Sequence, residues 1–261
     1  MKGEKNIKRG ESIPASINVE MTKRLVAARN LASQHCDEGI GTLSEKTAHK
    51  ILKFYIEPNS EKHEVPVLDS VADVLNSDGI WEIQTRSLEK LLPKLKRLLP
   101  QYPVTVVHPL TASRYVSYVD SESGEVLSRR KSPRRDLVNR AACELYKISD
   151  VLLHPNLKVK IIFIGYEDFR YKRDKKAWQK PSESLIERIP THIASELTLE
   201  CKEDYRAFLP DGLGAYFNAK DMTRLTGLDS RRAHNTLTLL LDLGVIKRKK
   251  EGRAYAYTVV Y

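Results

Sequence analysis

The stretch whose reading decides the fold is His63–Arg86, HEVPVLDSVADVLNSDGIWEIQTR. It divides into short β-branched runs, His63 to Leu68, Val71 to Leu75 and Ile80 to Gln84, with Asn76-Ser77-Asp78-Gly79 as the turn between the last two. Pro66 assigns the first run to a sheet edge or a bulge. Two runs carry an acid where a strand pattern asks for an apolar residue: Asp73 and Glu82. A carboxylate among β-branched neighbours is costly to bury without a partner. Two such carboxylates on strands joined by a tight turn can converge on one divalent cation. Glu82 and Gln84 are two apart and share one side of their strand, while Ile83 points the other way, into the core.

Upstream, Met21, Leu25, Val26, Ala27 and Leu31 recur at helical spacing, which predicts a helix to about Cys36. A second helix runs from Ser44, as N-cap, to about Tyr55. On it Glu45 and His49 are four apart and share a face, which either is solvated or looks into the acidic strands. Downstream, Leu88 to Leu99 is an amphipathic helix whose polar side carries Lys90, Lys94 and Arg97, with Pro93 weakening its first half. Residues 103–107 predict a buried strand, 114–127 a hairpin, 137–148 a helix and 157–164 a strand. Helical material is expected to continue to Leu209, and Pro210 to Gly214 marks a joint. The order helix, three strands, helix, strand predicts an α/β core.

The chain carries 44 Lys and Arg against 34 Asp and Glu, a formal +10, which points to a polyanionic partner. Arg129, Arg130, Lys131, Arg134 and Arg135 fall in seven residues broken by Ser132-Pro133, and read as a mobile basic loop able to grip phosphate. Between Glu167 and Lys180, cations alternate with Tyr171 and Trp178, a composition suited to nucleic acid. No run of 18 apolar residues or secretory signal is present, and Cys36, Cys143 and Cys201 form no metal or disulfide pattern. The expectation is a cytoplasmic protein without a membrane partner.

From residue 215 the pattern changes: a short helix capped by Asn218, a turn at Thr226 to Asp229, a longer helix from Ser230 to Leu243, and a basic hairpin. This resembles a winged helix-turn-helix domain. By that resemblance Arg231, Arg232, His234 and Asn235 would enter the major groove, and Lys247, Arg248, Lys249 and Arg253 would meet phosphates. From residue 219 onward nine Lys and Arg stand against four Asp and Glu, half of the net charge.

The Asp73 and Glu82-Ile83-Gln84 strands, with their flanking helices, are similar to the PD-(D/E)XK nuclease-like superfamily. Glu82-Ile83-Gln84-Thr85 resembles the Glu-x-Gln form found in competence-associated nucleases. Position 84 is Gln where Lys is usual, and no Pro precedes Asp73. The resemblance implies a restriction-endonuclease-like mixed sheet flanked by helices, with Asp73 and Glu82 holding Mg²⁺ or Mn²⁺. It implies metal-assisted phosphodiester hydrolysis, with Glu45 or His49 approaching from the first helix, Glu64 as a further carboxylate, Gln84, Thr85 or His49 placing water, and Arg86, Lys90 and the 129–135 loop holding the strand. The organisation expected is an arm and helix over 1–40, a nuclease-like domain over 41–210 and a winged helix over 211–261. The partner is DNA, double-stranded before single-stranded, with RNA and a homodimer both compatible. The rival reading is a non-catalytic DNA-binding protein, a regulator or replication factor, on a degenerate nuclease fold.

Overall fold

In the computed structural model, which describes residues 17–35, 44–171, 185–251 and 254–261, a mixed seven-stranded sheet carries helices on both faces. The chain begins with α1 (Val19–Gln34) and α2 (Ser44–Ile56), then β1 (His63–Val67), β2 (Ser70–Asn76) and β3 (Gly79–Ile83). A 3-10 turn over Leu88–Leu91 leads into α3 (Leu92–Leu98), with Pro93 in its first turn, where a missing N–H costs no hydrogen bond. β4 (Val104–Val119), β5 (Val126–Ser132), α4 (Val138–Leu145), β6 (Leu157–Tyr171) and β7 (Leu185–Leu199) complete the sheet region. The strand order is β1-β2-β3-β4-β6-β7, with β5 also on β4. β3–β4 and β4–β6 are parallel and the remaining pairs antiparallel. β1 lies at the edge, as Pro66 requires.

Each face of the sheet buries its own apolar cluster. On one, Leu91, Leu95 and Leu98 and the α4 residues Ala141, Ala142 and Leu145 cover Val104, Val106, Val159 and Ile161. On the other, Leu25 and Ala28 of α1 and Ile51 and Leu52 of α2 cover Ile83, Val107, Ile162, Ile164 and Ile193. The C-terminal elements are α5 (Ala219–Thr226), α6 (Ser230–Asp242), β8 (Ile246–Glu251) and β9 (Ala254–Val259). Asn218 caps α5 in a reciprocal box with Asp221, Gly227 closes it at φ 68°, and Asp229 caps α6. Met222, Leu237 and Leu240 belong to the same cluster as Val104, so the apolar interior is continuous across the expected joint at 210–214.

Three expectations are corrected. Residues 104–119 form one 16-residue strand rather than a short strand followed by a separate hairpin arm. Pro109 sits in its middle because β4 is paired on that side by β3 only to Val107 and by β5 only from Arg114. Val107 O and Thr111 N both point to that side, so the nitrogen of Pro109 faces the gap and no ladder bond is lost. The basic run is not a loop throughout: Arg129, Arg130 and Lys131 belong to β5, and Arg134 and Arg135 lie in the connection beyond it. Residues 185–199 are a strand, not a helix, and Lys202–Phe208 is 3-10. Leu185, Ile189, Ile193 and Leu197 recur every four residues, which imitates a helical stripe but also satisfies the two-residue period of a strand. Pro190 and the β-branched residues decide for the strand. Lys172, Arg173, Lys175, Lys176, Trp178 and Lys180 lie outside the described residues.

Gly79 closes the β2–β3 turn at φ 111°, and a Cβ there would lie 2.5 Å from Pro103 O. The same carbonyl accepts Ile80 N–H at 2.9 Å, so the turn is locked to the start of β4. Gly79→Ala is expected to destabilise the protein by about 1–3 kcal/mol, read as a lowered midpoint in thermal unfolding, while Ser77→Ala, at the exposed turn, leaves it unchanged.

Candidate active site

β2 and β3 pair from their turn as far as Val74 opposite Trp81 and then part. The next residues on the two strands are Asp73 and Glu82, and their carboxylates take over the role of the ladder. Asp73 Oδ2 accepts Ile83 N–H at 2.7 Å, and the Glu82 carboxylate accepts Asp73 N–H. β3 remains attached to β4, since Gln84 N–H still donates to Val107 O at 2.9 Å. The result is a notch in the sheet with an acid on each wall.

A nitrogen donor attends each acid. His49 Nε2, on α2, lies 3.2 Å from Asp73 Oδ2. An ionised carboxylate only accepts, so this nitrogen carries its proton. Lys94 Nζ, on α3, lies 2.5 Å from Glu82 Oε1 and donates to Val71 O at 2.6 Å. Glu82 Oε1 is buried, with the Lys94 ammonium as its close partner. Burial pushes the Asp73 carboxyl up, but the hydrogen bonds from His49 and Ile83 N–H and the charges of His49 and Lys94 outweigh it and hold it below the ordinary carboxylate value. At Glu82, only 4% exposed, burial wins: its carboxyl is pushed up to about 7 against the pull of Lys94, and the Asp73 charge adds to the rise. Two adjacent carboxyls are thus driven in opposite directions.

The notch opens into a cleft of about 940 Å³ lined by His49, Lys53, Glu64, Asp73, Glu82, Gln84 and Thr85, among others. Lys53, 8% exposed, holds Glu64 at 2.8 Å, and this hydrogen bond keeps the Glu64 carboxyl low. Glu64 itself sits at φ 53°, a strained conformation for a side chain of this size. Gln84 lies just past β3; its carbonyl receives His108 Nδ1 at 2.7 Å and its amide oxygen accepts Arg86 N–H at 3.4 Å.

The donors suit a hard cation. Asp73 and Glu82 offer carboxylate oxygens from adjacent strands, and a cation bound at Glu82 Oε1 would share it with, or displace, the Lys94 ammonium. Among the described residues no group of three or more His, Cys, Asp or Glu is placed to hold an ion. Mg²⁺ is commonly held by one or two carboxylates with water and substrate phosphate, so two protein ligands are sufficient for that mode.

The structure therefore brings together Asp73, Glu82, Gln84, His49, Thr85 and Glu64, while the side chain of Glu45 lies outside the described residues. Arg86 and Lys90 are exposed beyond the notch. Arg129, Arg130 and Lys131 are not beside it. Glu82 is in register with Val106 and Arg129 with Ser117, which at about 3.3 Å per residue is roughly 35 Å along β4. Arg129 is instead bound to Glu167 at 2.8 Å and lies over the Tyr115 ring at 3.9 Å. Arg231, Arg232 and His234 are exposed on α6, Asn235 is half-buried, and Lys247, Arg248 and Lys249 are exposed on β8; Arg253 lies outside the described residues. Sequence reasoning missed Lys94 and Lys53 as members of the site. Lys94 stood on the polar stripe of its helix beside Lys90 and Arg97, with nothing to set it apart.

Glu82 binds its proton more tightly folded than unfolded, since about 7 exceeds its ordinary 4.5. Its contribution to stability is fully present below about pH 4.5 and is lost as pH rises through 7. In metal-free protein, carbon-detected titration of the Glu82 carboxyl should give a midpoint near 7, and Lys94→Met should raise it. A midpoint at the ordinary value, or a fall in Lys94→Met, would contradict this electrostatic account.

Residues 46–200 match the family described as a domain of unknown function (DUF8091), a span that carries β1 through β7 and the whole notch. An uncharacterized protein of Treponema pallidum (strain Nichols) is 33% identical over 198 residues, covering 74% of this chain and 78% of its own. No solved structure matches the chain.

Proposed function

This chain belongs to the DUF8091 family, and we propose that it is a metal-dependent DNA nuclease acting at the Asp73–Glu82 notch. The observation that carries the reading is the pair of carboxylates lining an open cleft at the parting of two strands, one of them desolvated and 2.5 Å from Lys94 Nζ. This fits the resemblance to PD-(D/E)XK nucleases, and Lys94 supplies from α3 the positive charge that Gln84 does not. Asp73 and Glu82 would hold Mg²⁺ or Mn²⁺, which when bound polarises a phosphoryl oxygen and acidifies water. Lys94 is placed to offset charge developing on the phosphate, a preorganised electrostatic role. His49 holds a proton at Nε2 beside Asp73 and can exchange it with the leaving or attacking oxygen. Gln84 can orient water through its amide.

DNA would be held by the C-terminal elements read as a winged helix. Supporting this are the exposed N-terminal turn of α6, with Arg231 and His234, and the exposed Lys247, Arg248 and Lys249 on the β8–β9 hairpin. A second reading, a non-catalytic DNA-binding protein, is favoured by one observation: both carboxylates already have a resident side-chain partner, His49 and Lys94.

Incubation of the protein with plasmid, linear and single-stranded DNA and Mg²⁺ or Mn²⁺ separates the two. Cleavage is expected, lost in Asp73→Ala and Glu82→Ala and lowered about 10²- to 10³-fold in Lys94→Ala. If no substrate and metal distinguish wild type from these variants, the nuclease reading is lost and the binding reading stands. Independently, Lys247→Ala with Lys249→Ala should flatten the dependence of duplex binding on log salt by about 0.9 per lost phosphate contact.

A further inference from the structure

The gap in the edge of β4, between the last rung with β3 and the first with β5, opens into a second cavity of about 580 Å³. Thr85 lines both this cavity and the acidic cleft, so the two spaces meet at the residue that follows Gln84. Four arginines line it, Arg86, Arg140, Arg188 and Arg232, against two carboxylates, Asp136 and Glu144. Both carboxylates have structural duties. Asp136 accepts Thr111 N–H at 2.9 Å and binds Arg140 at 2.9 Å; Glu144 accepts Leu88 N–H at 3.3 Å and holds Lys147 at 2.8 Å. Arg188 is fixed by a bidentate bond to the fully buried Asp168, at 2.7 and 2.9 Å, and its guanidinium lies 5.4 Å from the Tyr166 ring centre. Arg232 comes from α6, whose backbone here touches Cys143 of α4, so a C-terminal residue is built into the wall of the space next to the acids.

We propose that this cavity is a subsite for a single-stranded DNA segment entering or leaving the Asp73–Glu82 notch, its phosphates met by Arg140 and Arg232 and a base seated against the Arg188 guanidinium. The inference rests on the nuclease reading for its direction and goes beyond it by naming the form of the substrate. Size decides that form. The volume falls in the ~300–1,000 Å³ range of small-ligand pockets, which admits a nucleotide unit. A duplex, whose major groove alone is about 12 Å wide, has no room. Charge and a planar stacking surface in one groove are what an unpaired strand requires, since its phosphates and base faces are both accessible. Arg232 therefore serves this groove rather than the exposed stripe of α6 that carries Arg231 and His234.

The test measures binding without chemistry, by fluorescence anisotropy of a labelled oligothymidylate and of a blunt duplex in EDTA. Arg140 and Arg232 have side chains 60% and 53% exposed, so their replacement leaves the interior intact. Arg140→Ala with Arg232→Ala is expected to weaken oligothymidylate binding at least tenfold and duplex binding less than twofold, with partial recovery in the double Lys variant. Oligothymidylate, but not the duplex, should also slow alkylation of Cys143 in the cavity wall relative to the exposed Cys201. Equal losses for both ligands, or unaltered Cys143 alkylation, overturn the proposal. Failure of the nuclease reading is separately visible: cleavage insensitive to Asp73→Ala alongside arginine-dependent oligothymidylate binding removes the chemistry and leaves this subsite.

Discussion

The hydrogen bond from Ile83 N–H to the Asp73 carboxylate, 2.7 Å long, governs the rest of the site. In an unbroken antiparallel ladder that N–H would meet a backbone carbonyl across the pair. By substituting a side chain for a backbone group, Asp73 lets β2 leave β3 without stranding a buried donor, a loss that costs about 1–3 kcal/mol. The parting creates the cleft and places Glu82 inside it. It also leaves the far edge of β3 tied to β4, which anchors the notch to the parallel centre of the sheet.

The electrostatic consequences follow from depth. Asp73 has two directed donors and is held ionised, while Glu82 is buried more deeply and keeps its proton to near neutrality against the pull of Lys94. One acid is therefore firmly charged and the other responsive to whatever cation or proton arrives. Closely spaced carboxyls with opposed displacements are a recurrent means of dividing acid and base roles within one site. Here the opposed displacements come from ordinary causes: donors aimed at one group and burial of the other.

A mixed α/β core with helices flanking the sheet, and the strand positions of the two acids, were legible in the chain because a carboxylate in a β-branched run violates the strand pattern in a way that the order of residues reveals. Gly79, Asn218 and the two C-terminal helices were legible for the same reason, since turns and caps demand particular side chains. What escaped depended on partners distant in the chain. Lys94 acquires its role only when α3 is laid against β2 and β3. The continuity of β4 was hidden by Pro109, which is harmless only because neither β3 nor β5 reaches it. Residues 185–199 were misread because a four-residue repeat serves a helix and a strand alike. The basic run at 129–135 looked like a loop because strands with outward cations on an exposed edge lack an apolar alternation.

The β4–β6 ladder has a consequence for how the molecule is made. Its rungs join Val104 to Leu157 and Val119 to Tyr171, so each encloses roughly fifty residues, including β5 and α4. The entropy of closing that loop is lost before the first rung forms, and parallel pairing of this reach is intrinsically slow. The N-terminal helices, whose apolar faces rest on Ile162, Ile164 and Ile193, have nothing to cover until the ladder exists. Assembly of the sheet centre is thus the step on which the rate of folding turns, and the acidic notch, though short in sequence, has to wait for it.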